Sequence, residues 1–504
     1  MIGFKPTILA TVLTGIGLAS AAKDPEIWGF GKLGAYMYHA YTDDVNRHQD
    51  DWWAWCTSIK HLYREEFQRV QDGSEQQGET PLSQGYLHRF TDGAISGNYL
   101  PNGQVATEKY YSNGTVYSWQ NYLDSFNQTL LNQLKASSDP TDQARLQVLQ
   151  LQESARYNSS LVQTAQISIK IGNNTSIIGK PKRKKQVARL EDIAIAINQT
   201  NNVIMQDFEV YAPIDLFPEW DPTDGSTGNW NSRYDAIGVV TSTNVWFDHL
   251  TISDGLHPDT EAPTIFGKKV QRHDGAIDIT EGADLITMSH CLVYNHDKSH
   301  LVGNNDANNL GPGDIGRLRV SFHANAWLNS LQRSPRLRFG KAHVFNNYYK
   351  ASLLDPEEKL QYFLGMGIES SILSEANVFE IEAKNKTDAV NAVIGQYKGY
   401  RLKDNRSWVN GDFANIEAVA KSKYDTAKAA EIAAAAAAGR AVAEWATHNF
   451  TNDLFKPDYF YRLKKAEDVK KYVLANAGAD RIASVGSART KRAAHIKAEY
   501  EITI

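Results

Sequence analysis

The sequence has 504 residues, of which 42% are hydrophobic and 22% charged, and its formal net charge is -5. This composition permits a large core and excludes a mostly disordered chain. A charge so close to neutral argues against a general nucleic-acid binder and against electrostatic attachment to an anionic membrane. A polyanionic ligand would therefore have to meet a local basic patch.

The N-terminus has the order of regions found in secretory signals. Lys5 precedes an apolar run over residues 8–18, and small residues follow it. We expect cleavage near Ala21 or Ala22, with a short buried helix as the alternative interpretation. No later stretch is suited to span a membrane. The sequence thus predicts residues 1–22 as a signal peptide and the protein as secreted and extracellular.

Sequons and cysteines carry further information about the compartment. Nine N-x-S/T sequons favour export through a eukaryotic secretory pathway. They begin at Asn113, Asn127, Asn158, Asn173, Asn174, Asn198, Asn385, Asn405 and Asn449. The sequence contains two cysteines, Cys56 and Cys291, so disulfide bonds do not hold a chain of this length together. Two buried thiols are preferred over one bridge, because nothing in the sequence positions them together.

The first part of the mature chain, to about residue 165, is aromatic-rich and irregular. Between Tyr117 and Leu134, the residues Tyr122, Phe126 and Leu130 recur on one helical face together with Leu134. This spacing predicts a helix that could cover the N-terminal end of the structure that follows.

Short β-rich runs separated by Asn, Gly and Asp begin at about residue 166. Comparable apolar positions are spaced by 42, 41, 32, 24 and 30 residues; they are Val203, Val245, Ile286, Leu318, Ala342 and Ile372. Irregular periods of this kind are typical of a parallel β-helix, in which insertions enlarge the loops of individual coils. The predicted fold class is all-β, a right-handed parallel β-helix with capping helices and long loops.

The C-terminal part reads as a tail on the same domain. The alanine-rich run from Ala427 to Ala443 predicts a helix, with a low-complexity linker as the alternative, and the segment Tyr459 to Ala477 reads as extended and then helical. We therefore predict one domain over residues 23–504, with central coils at about 166–380 and a helical and extended tail at 381–504.

Five motifs in the central region carry a specific resemblance. They are FPEWDPTDGSTGNWNSRYD (Phe217 to Asp235), NVWFDHLTISDG (Asn244 to Gly255), QRHDGAIDITEGA (Gln271 to Ala283), HDKS (His296 to Ser299) and QRSPRLRFGKAHVFNNYY (Gln332 to Tyr349). In this order they resemble the pectate lyases of the parallel β-helix type. The resemblance covers roughly residues 200–350 and implies a lyase that acts on an acidic polysaccharide.

Three aspartates are the candidate metal ligands. On residue chemistry alone, Asp235, Asp274 and Asp278 are hard oxygen donors that suit calcium, although aspartates near glycine also serve as turn formers. The resemblance implies that these three bind Ca²⁺, because each falls on a matching motif position.

The basic residues near Pro335 provide the patch that a polyuronate requires. Guanidinium groups pair bidentately with carboxylates, whereas lysine is a compact charge. By resemblance, Arg333 is the catalytic base, and Lys298 and Arg338 bind substrate carboxylate. For Arg336 we favour a structural ion pair.

The implied reaction is a calcium-dependent β-elimination on polygalacturonate, which leaves a 4,5-unsaturated non-reducing end. An arginine base predicts an alkaline pH optimum, because the ordinary pKa of a guanidinium is above about 12. The alternatives are pectin lyase on methylated pectin, a hydrolysing polygalacturonase with paired aspartates, and a non-catalytic carbohydrate-binding β-helix. The expected partner is the acidic polysaccharide, without nucleic acid or membrane, and we predict a monomer.

Three further motifs have structural interpretations. Asp248 and His249, in WFDH, are taken as a strand motif near the calcium site rather than an acid/base pair. Asn346 and Asn347 are typical of the asparagine ladder at β-helix turns. The basic run at residues 180–185 is read as a solvated loop, with contact to acidic pectin as the alternative.

Overall fold

The computed structural model describes Thr115 and residues 117–179, 187–255 and 257–479. The predicted signal peptide, Cys56 and the basic run at 180–185 lie outside the described residues. Over the described coils, the chain passes in turn through three mainly parallel sheets that stack strand upon strand. The molecule is a right-handed parallel β-helix, as predicted from the sequence.

The strands are numbered in chain order. The first sheet contains β1 (Ser168–Ile171), β4 (Ala194–Asn198), β9 (Ile237–Val240), β14 (Ile277–Thr280), β17 (Leu301–Val302), β20 (Arg336–Leu337), β23 (Leu364–Met366) and β26 (Ile394–Gln396). The second sheet contains β2 (Thr175–Ile178), β5 (Asn201–Gln206), β10 (Thr243–Asp248), β15 (Asp284–Ser289), β18 (Arg319–His323), β21 (Lys341–Phe345), β24 (Ser371–Glu375) and β27 (Arg401–Asn405). The third sheet contains β3 (Ala188–Glu191), β6 (Phe208–Tyr211), β11 (Thr251–Ser253), β16 (Leu292–Lys298), β19 (Ala326–Gln332), β22 (Tyr348–Ser352), β25 (Val378–Glu382), β28 (Trp408–Val409) and the antiparallel β29 (Asp412–Phe413).

Two small hairpins and several helices decorate the coils. The hairpins are β7 (Glu219–Asp221) with β8 (Asn229–Asn231), and β12 (Thr264–Ile265) with β13 (Lys268–Lys269). The described helices are α1 (Trp119–Asp124), α2 (Gln128–Ala136), α3 (Pro140–Gln150), α4 (Gln152–Ile167), α5 (Lys386–Ala392), α6 (Ile416–Ala437) and α7 (Ala466–Asn476). None of these helices has the combination of length and apolar character that a membrane span requires.

Aliphatic residues in register fill the interior of the β-helix. In the second sheet one such row, fully buried, consists of Val203, Val245, Ile286, Val320, Ala342, Ile372 and Leu402. The sequence-based row was wrong at one position, because it placed Leu318 where Val320 lies. Leu318 has a φ of 57° in the turn before β18, so it belongs to the corner and not to the strand. The coils also continue to β28, beyond residue 380.

The corner between the second and third sheets is built in the same way in successive coils. Each contains a non-glycine residue with a φ between 49° and 64°; these are Asp207, His249, His290, Ala324, Asn346, Ala376 and Arg406. In the later coils the next residue belongs to a buried ladder. Asn347 accepts the N–H of Asn325 at 2.9 Å, and Asn377 accepts the N–H of Asn347 at 3.0 Å. Asn347 is therefore a ladder residue, as predicted.

Asn346 is not part of this ladder. Its side chain points to the C-terminal tail, where it donates to the carbonyl of Arg462 at 2.9 Å and accepts the N–H of Lys464 at 2.9 Å. Cys291 occupies the ladder position two coils before Asn347, and its thiol is buried.

The predicted N-terminal helix is divided in two. Asn127 ends the continuity, because its side chain accepts the N–H of Leu130 at 3.0 Å and caps α2. The aromatic face of α1, with Trp119 and Tyr122, packs on Trp230 of the β7–β8 hairpin. The helix thus covers an insertion between coils and does not lie over the N-terminal end as expected.

A helix covers the C-terminal end, as predicted, but it spans Ile416–Ala437 and not Ala427 to Ala443. Helix α6 begins at Ile416, before the alanine-rich run, and its residues Ile416 and Ala420 join the interior core next to Val409. The segment after Tyr459 is extended and then helical. In α7, Val469 and Val473 pack on the outer surface of the third sheet.

Candidate active site

The three predicted metal ligands come together on the outer surface of the first sheet. Asp235 lies two residues before the start of β9, Asp274 lies before β14, and Asp278 lies within β14. Asp235 accepts the N–H of Gly275 at 2.8 Å, and Asp278 accepts the N–H of Leu301 at 2.8 Å. The backbone therefore orients two of the three carboxylates.

Gly275 allows this close approach. A Cβ atom at this position would lie 2.3 Å from an oxygen of Asp278 and 2.7 Å from an oxygen of Asp235. Only glycine leaves room for both carboxylates beside the backbone. Gly275 was not recognised from the sequence as a site residue, although its position directly after Asp274 in the QRHDG motif was a usable signal.

Negative charge accumulates at this site. Burial raises the pKa of Asp235 well above its usual range, and the charges of Asp278 and Asp274 add to the rise. Burial also raises the pKa of Asp278 to about 7, where Arg333 opposes the rise and Asp274 adds to it. Like charges held together in this way are stabilised by a bound cation. The all-oxygen donor set and the Gly275 cradle fit a calcium ion.

Lys298 lies against these carboxylates at the end of β16. Its Nζ donates to Asp274 at 2.9 Å and to the side-chain oxygen of Gln271 at 2.6 Å. Burial lowers the pKa of Lys298, but the charge and hydrogen bond of Asp274, together with the charge of Asp297, raise it more, so the net pKa is raised. Gln271 was not recognised as a site residue from the sequence; it begins the QRHDG motif but carries no charge that would mark it.

Arg333 follows β19 with a φ of 59°. This left-handed conformation turns the chain at the edge of the site, where the Arg333 carbonyl accepts the N–H of His300 at 2.7 Å. Among the described residues, the buried Nε atom of Arg333 has no hydrogen-bond partner. Burial lowers the pKa of Arg333, but nearby acidic groups, with Asp278 and Asp274 foremost, together raise it more, so the net pKa is raised. The guanidinium is therefore held electrostatically toward Asp278 and Asp274.

Arg338 and Arg336 differ in their partners. Arg338 donates to Asp306 at 2.8 Å and to the carbonyl of Gly303 at 2.9 Å, so its guanidinium has an acidic partner within the chain. Arg336 was interpreted from the sequence as a structural ion pair, and this was wrong. Its guanidinium lies 3.9 Å from the ring centre of Tyr397, and no carboxylate among the described residues lies within 4.0 Å of it.

Asp248 and His249 form a structural cluster elsewhere. The Asp248 carboxylate accepts from Gln206 at 3.0 Å and Ser289 at 2.6 Å, and contacts His249 Nδ1 at 2.6 Å. These residues end strands of the second sheet, so the expected position near the three aspartates was wrong. His290 stacks on His249 at 4.7 Å between ring centres, and the cluster joins neighbouring coils.

Comparisons with known proteins agree with this geometry. A family model described as pectate lyase matches residues 146–482. The chain is 37% identical over 280 residues to a pectate lyase of Bacillus subtilis (strain 168), which covers 56% of this chain and 64% of the relative. It is 37% identical over 258 residues to pectate lyase E of Dickeya chrysanthemi, covering 51% and 64%. The chain thus spans a little under two thirds of the length of these relatives.

A solved structure extends the likeness to the fold. It is described as a pectate lyase bound to hexasaccharide, and it matches with a TM-score of 0.60 and 29% sequence identity over 77% of this chain and 84% of the other. The family match includes all six predicted site residues. This chain belongs to the pectate lyase family.

Proposed function

We propose that this protein is a secreted, calcium-dependent pectate lyase that cleaves de-esterified homogalacturonan by β-elimination. The observation that carries the proposal is the meeting of Asp235, Asp274 and Asp278 with Arg333 and Lys298 on one outer surface. A bound cation and a polyuronate would both find complementary charge at this surface. The signal-like N-terminus supports secretion, and we expect the enzyme to act as a monomer.

The three aspartates would hold the calcium ion. A calcium ion bound there would supply positive charge against the negative charge that develops when the proton on C5 is removed. Asp235 and Asp278 each keep one oxygen on a backbone N–H, so they are oriented before any ligand arrives.

Arg333 is assigned the removal of the C5 proton. The C5–H electron pair forms the C4=C5 double bond, and the C4–O bond breaks with its electrons leaving on the glycosidic oxygen, which then takes up a proton. Lys298, fixed by Asp274 and Gln271, is assigned to the substrate carboxylate. Arg338 retains the same assignment, which requires that substrate compete with Asp306.

An ultraviolet assay tests the proposal. Polygalacturonate is incubated with the protein in calcium or in EDTA, and absorbance from the unsaturated product is followed. We expect a calcium-dependent rise that is faster at alkaline pH, because an arginine base must lose a proton. Absence of any rise would support the non-catalytic alternative, and an EDTA-insensitive rise on methylated pectin would identify a pectin lyase. Reducing ends without absorbance would identify a hydrolase.

A further inference from the structure

The outer surface of the first sheet continues past the three aspartates. Leu301, whose N–H donates to Asp278, lies on the next strand, and Arg336 is its register partner on β20. Gly365 and Gly395 continue the same row on β23 and β26. Arg336 is thus two strand spacings from Asp278, or about 10 Å along the stacking direction.

Among the described residues, the guanidinium of Arg336 has no acidic partner. Its Nε atom is buried with no hydrogen-bond partner in the described part of the chain, and its Cζ atom lies over the ring of Tyr397, 3.9 Å from the ring centre. The neighbours that act on its charge are Arg338, Tyr362, Tyr397 and Arg333. Burial and the two arginines lower the pKa of Arg336. In contrast, Arg338 is already paired with Asp306.

The two glycines shape the surface beside Arg336. A Cβ on Gly365 would lie 2.8 Å from the ring of Tyr362, and a Cβ on Gly395 would lie 2.6 Å from that ring and 2.9 Å from the ring of Tyr397. The tyrosines can therefore lie close against β23 and β26, with ring centres 5.1 Å apart. The two rings are tilted by 58° to each other, and together they form an aromatic support for the arginine.

We infer that Arg336, supported by Tyr362 and Tyr397, is an additional binding site for a uronate carboxylate of the substrate, beyond the position of cleavage. This inference rests on the proposed function, because its ligand is a galacturonan chain. A planar guanidinium binds a carboxylate bidentately, and stacking on Tyr397 fixes it in advance, so little side-chain freedom is lost on binding. The site would anchor longer substrates.

Binding of oligogalacturonides of different length tests the inference. In a full-length Arg333→Lys parent, which avoids turnover, hexagalacturonate and digalacturonate are titrated calorimetrically in calcium. A digalacturonate bound at Asp278 and Lys298 has no further carboxylate that Arg336 could bind. Adding Arg336→Gln should weaken hexagalacturonate binding on the order of tenfold and leave the dimer nearly unchanged, as expected for loss of one charge-assisted contact.

Two further variants separate this role from a structural one. Arg336→Lys keeps the charge but not the planar fork and should recover only part of the hexamer affinity. Arg145 is an exposed arginine of α3, and Arg145→Gln is the charge-matched control. It should change the affinity for neither oligomer. Equal weakening of both oligomers by Arg336→Gln, or none, would overturn the inference.

The two proposals fail in distinguishable ways. If the parent binds hexagalacturonate with the expected dependence on Arg336, but the wild-type protein forms no unsaturated product, the lyase proposal fails and the binding site stands. If the wild-type protein forms product and Arg336→Gln binds both oligomers as the parent does, only the additional binding site is wrong.

Discussion

Gly275 determines how closely the carboxylates of the site can approach one another. In Gly275→Ala, the new methyl group would fall within 2.3 Å of Asp278, so at least one carboxylate has to move. We expect calcium affinity to fall about tenfold or more, measured by calorimetric titration with calcium. Gly172→Ala is the matched control, because a Cβ there meets no atom of the described residues within 4 Å. Equal affinities of the two variants would contradict this account of Gly275.

Arg333 is the residue on which the proposed chemistry depends most. Arg333→Lys keeps a positive charge near Asp278 but replaces the guanidinium by a differently placed amine. We expect turnover of polygalacturonate to fall by at least about a thousandfold, as for loss of a general base. Far-ultraviolet circular dichroism and the melting temperature should stay close to those of the wild-type protein. Retained turnover would remove the assignment of Arg333 as base.

Asp215 should make folding stability depend on pH. Burial raises its pKa to about 6, against the hydrogen bonds from the N–H groups of Phe217 and Arg233. Because this is above the unfolded value of about 3.9, the stabilising contribution is full below pH 4 and is lost as pH rises through 6. Relative to Asp215→Asn, the free energy of unfolding should fall by about 2 kcal/mol between pH 4 and 7. The free energies are measured by denaturant unfolding. If the wild-type protein and Asp215→Asn differ in free energy of unfolding by the same amount at both pH values, the prediction is wrong.

At the scale of single residues, the motifs identified aspartates that the fold brings together, but not the partners of the nearby arginines. Asp235, Asp274 and Asp278 meet on one surface because each lies just before or within a strand of the same sheet. The environments of Arg336 and Arg338 were not predictable, since Asp306 lies on a separate loop about thirty residues earlier in the chain. Local sequence contains no information on which arginine that loop reaches.

Among the repeated elements, the asparagine ladder allows a comparison of adjacent residues. Asn347 is fully buried, and its amide bonds to Asn325, Asn377 and the carbonyl of Phe322. Asn347→Ala should lower the free energy of unfolding on the order of 3 kcal/mol or more, because several buried polar groups lose partners.

Asn346→Ala is the control for this prediction. It removes two contacts to the tail at Arg462 and Lys464 and should cost about 1 kcal/mol. Both variants are compared by urea unfolding. A larger loss for Asn346→Ala than for Asn347→Ala would contradict the ladder assignment.

The repeat predicted the sheets better than it predicted the corners. Apolar spacing identified the second-sheet row except at Leu318. Leu318 itself has the left-handed conformation and lies in the turn, so the residue in register with Ile286 is Val320, two positions later. The continuous helical spacing near Tyr122 failed similarly, since capping by Asn127 overrides hydrophobic periodicity. Helix α6 was predictable because an alanine-rich run has high helix propensity in any context.

For the whole molecule, the C-terminal tail is a cover for the outer surface of the β-helix. Tyr459 bonds to His343 at 2.7 Å, Tyr472 bonds to His290 at 3.0 Å, and α7 buries an apolar patch of the third sheet. A chain that ends at Asp458 would expose that patch. We expect it to self-associate, measured by light scattering after size-exclusion chromatography.

A chain that ends at Ala479 is the matched truncation. It keeps each of these tail contacts and should elute as the full-length protein does. If the chain ending at Asp458 elutes in the same way with an unchanged melting temperature, the covering role of the tail is wrong.

The corner between the second and third sheets, with its left-handed residue, differs from the other two corners in how much its length varies. From β5 onward this corner keeps one length, whereas the long insertions, such as residues 212–236 and 303–317, enter at the other two corners, on either side of the first sheet. Loops that border the site can therefore lengthen or shorten without changing the pitch of the coils. Substrate preference can diverge among relatives while the catalytic surface keeps its spacing, and grafting such loops between relatives is a practical route to new specificity.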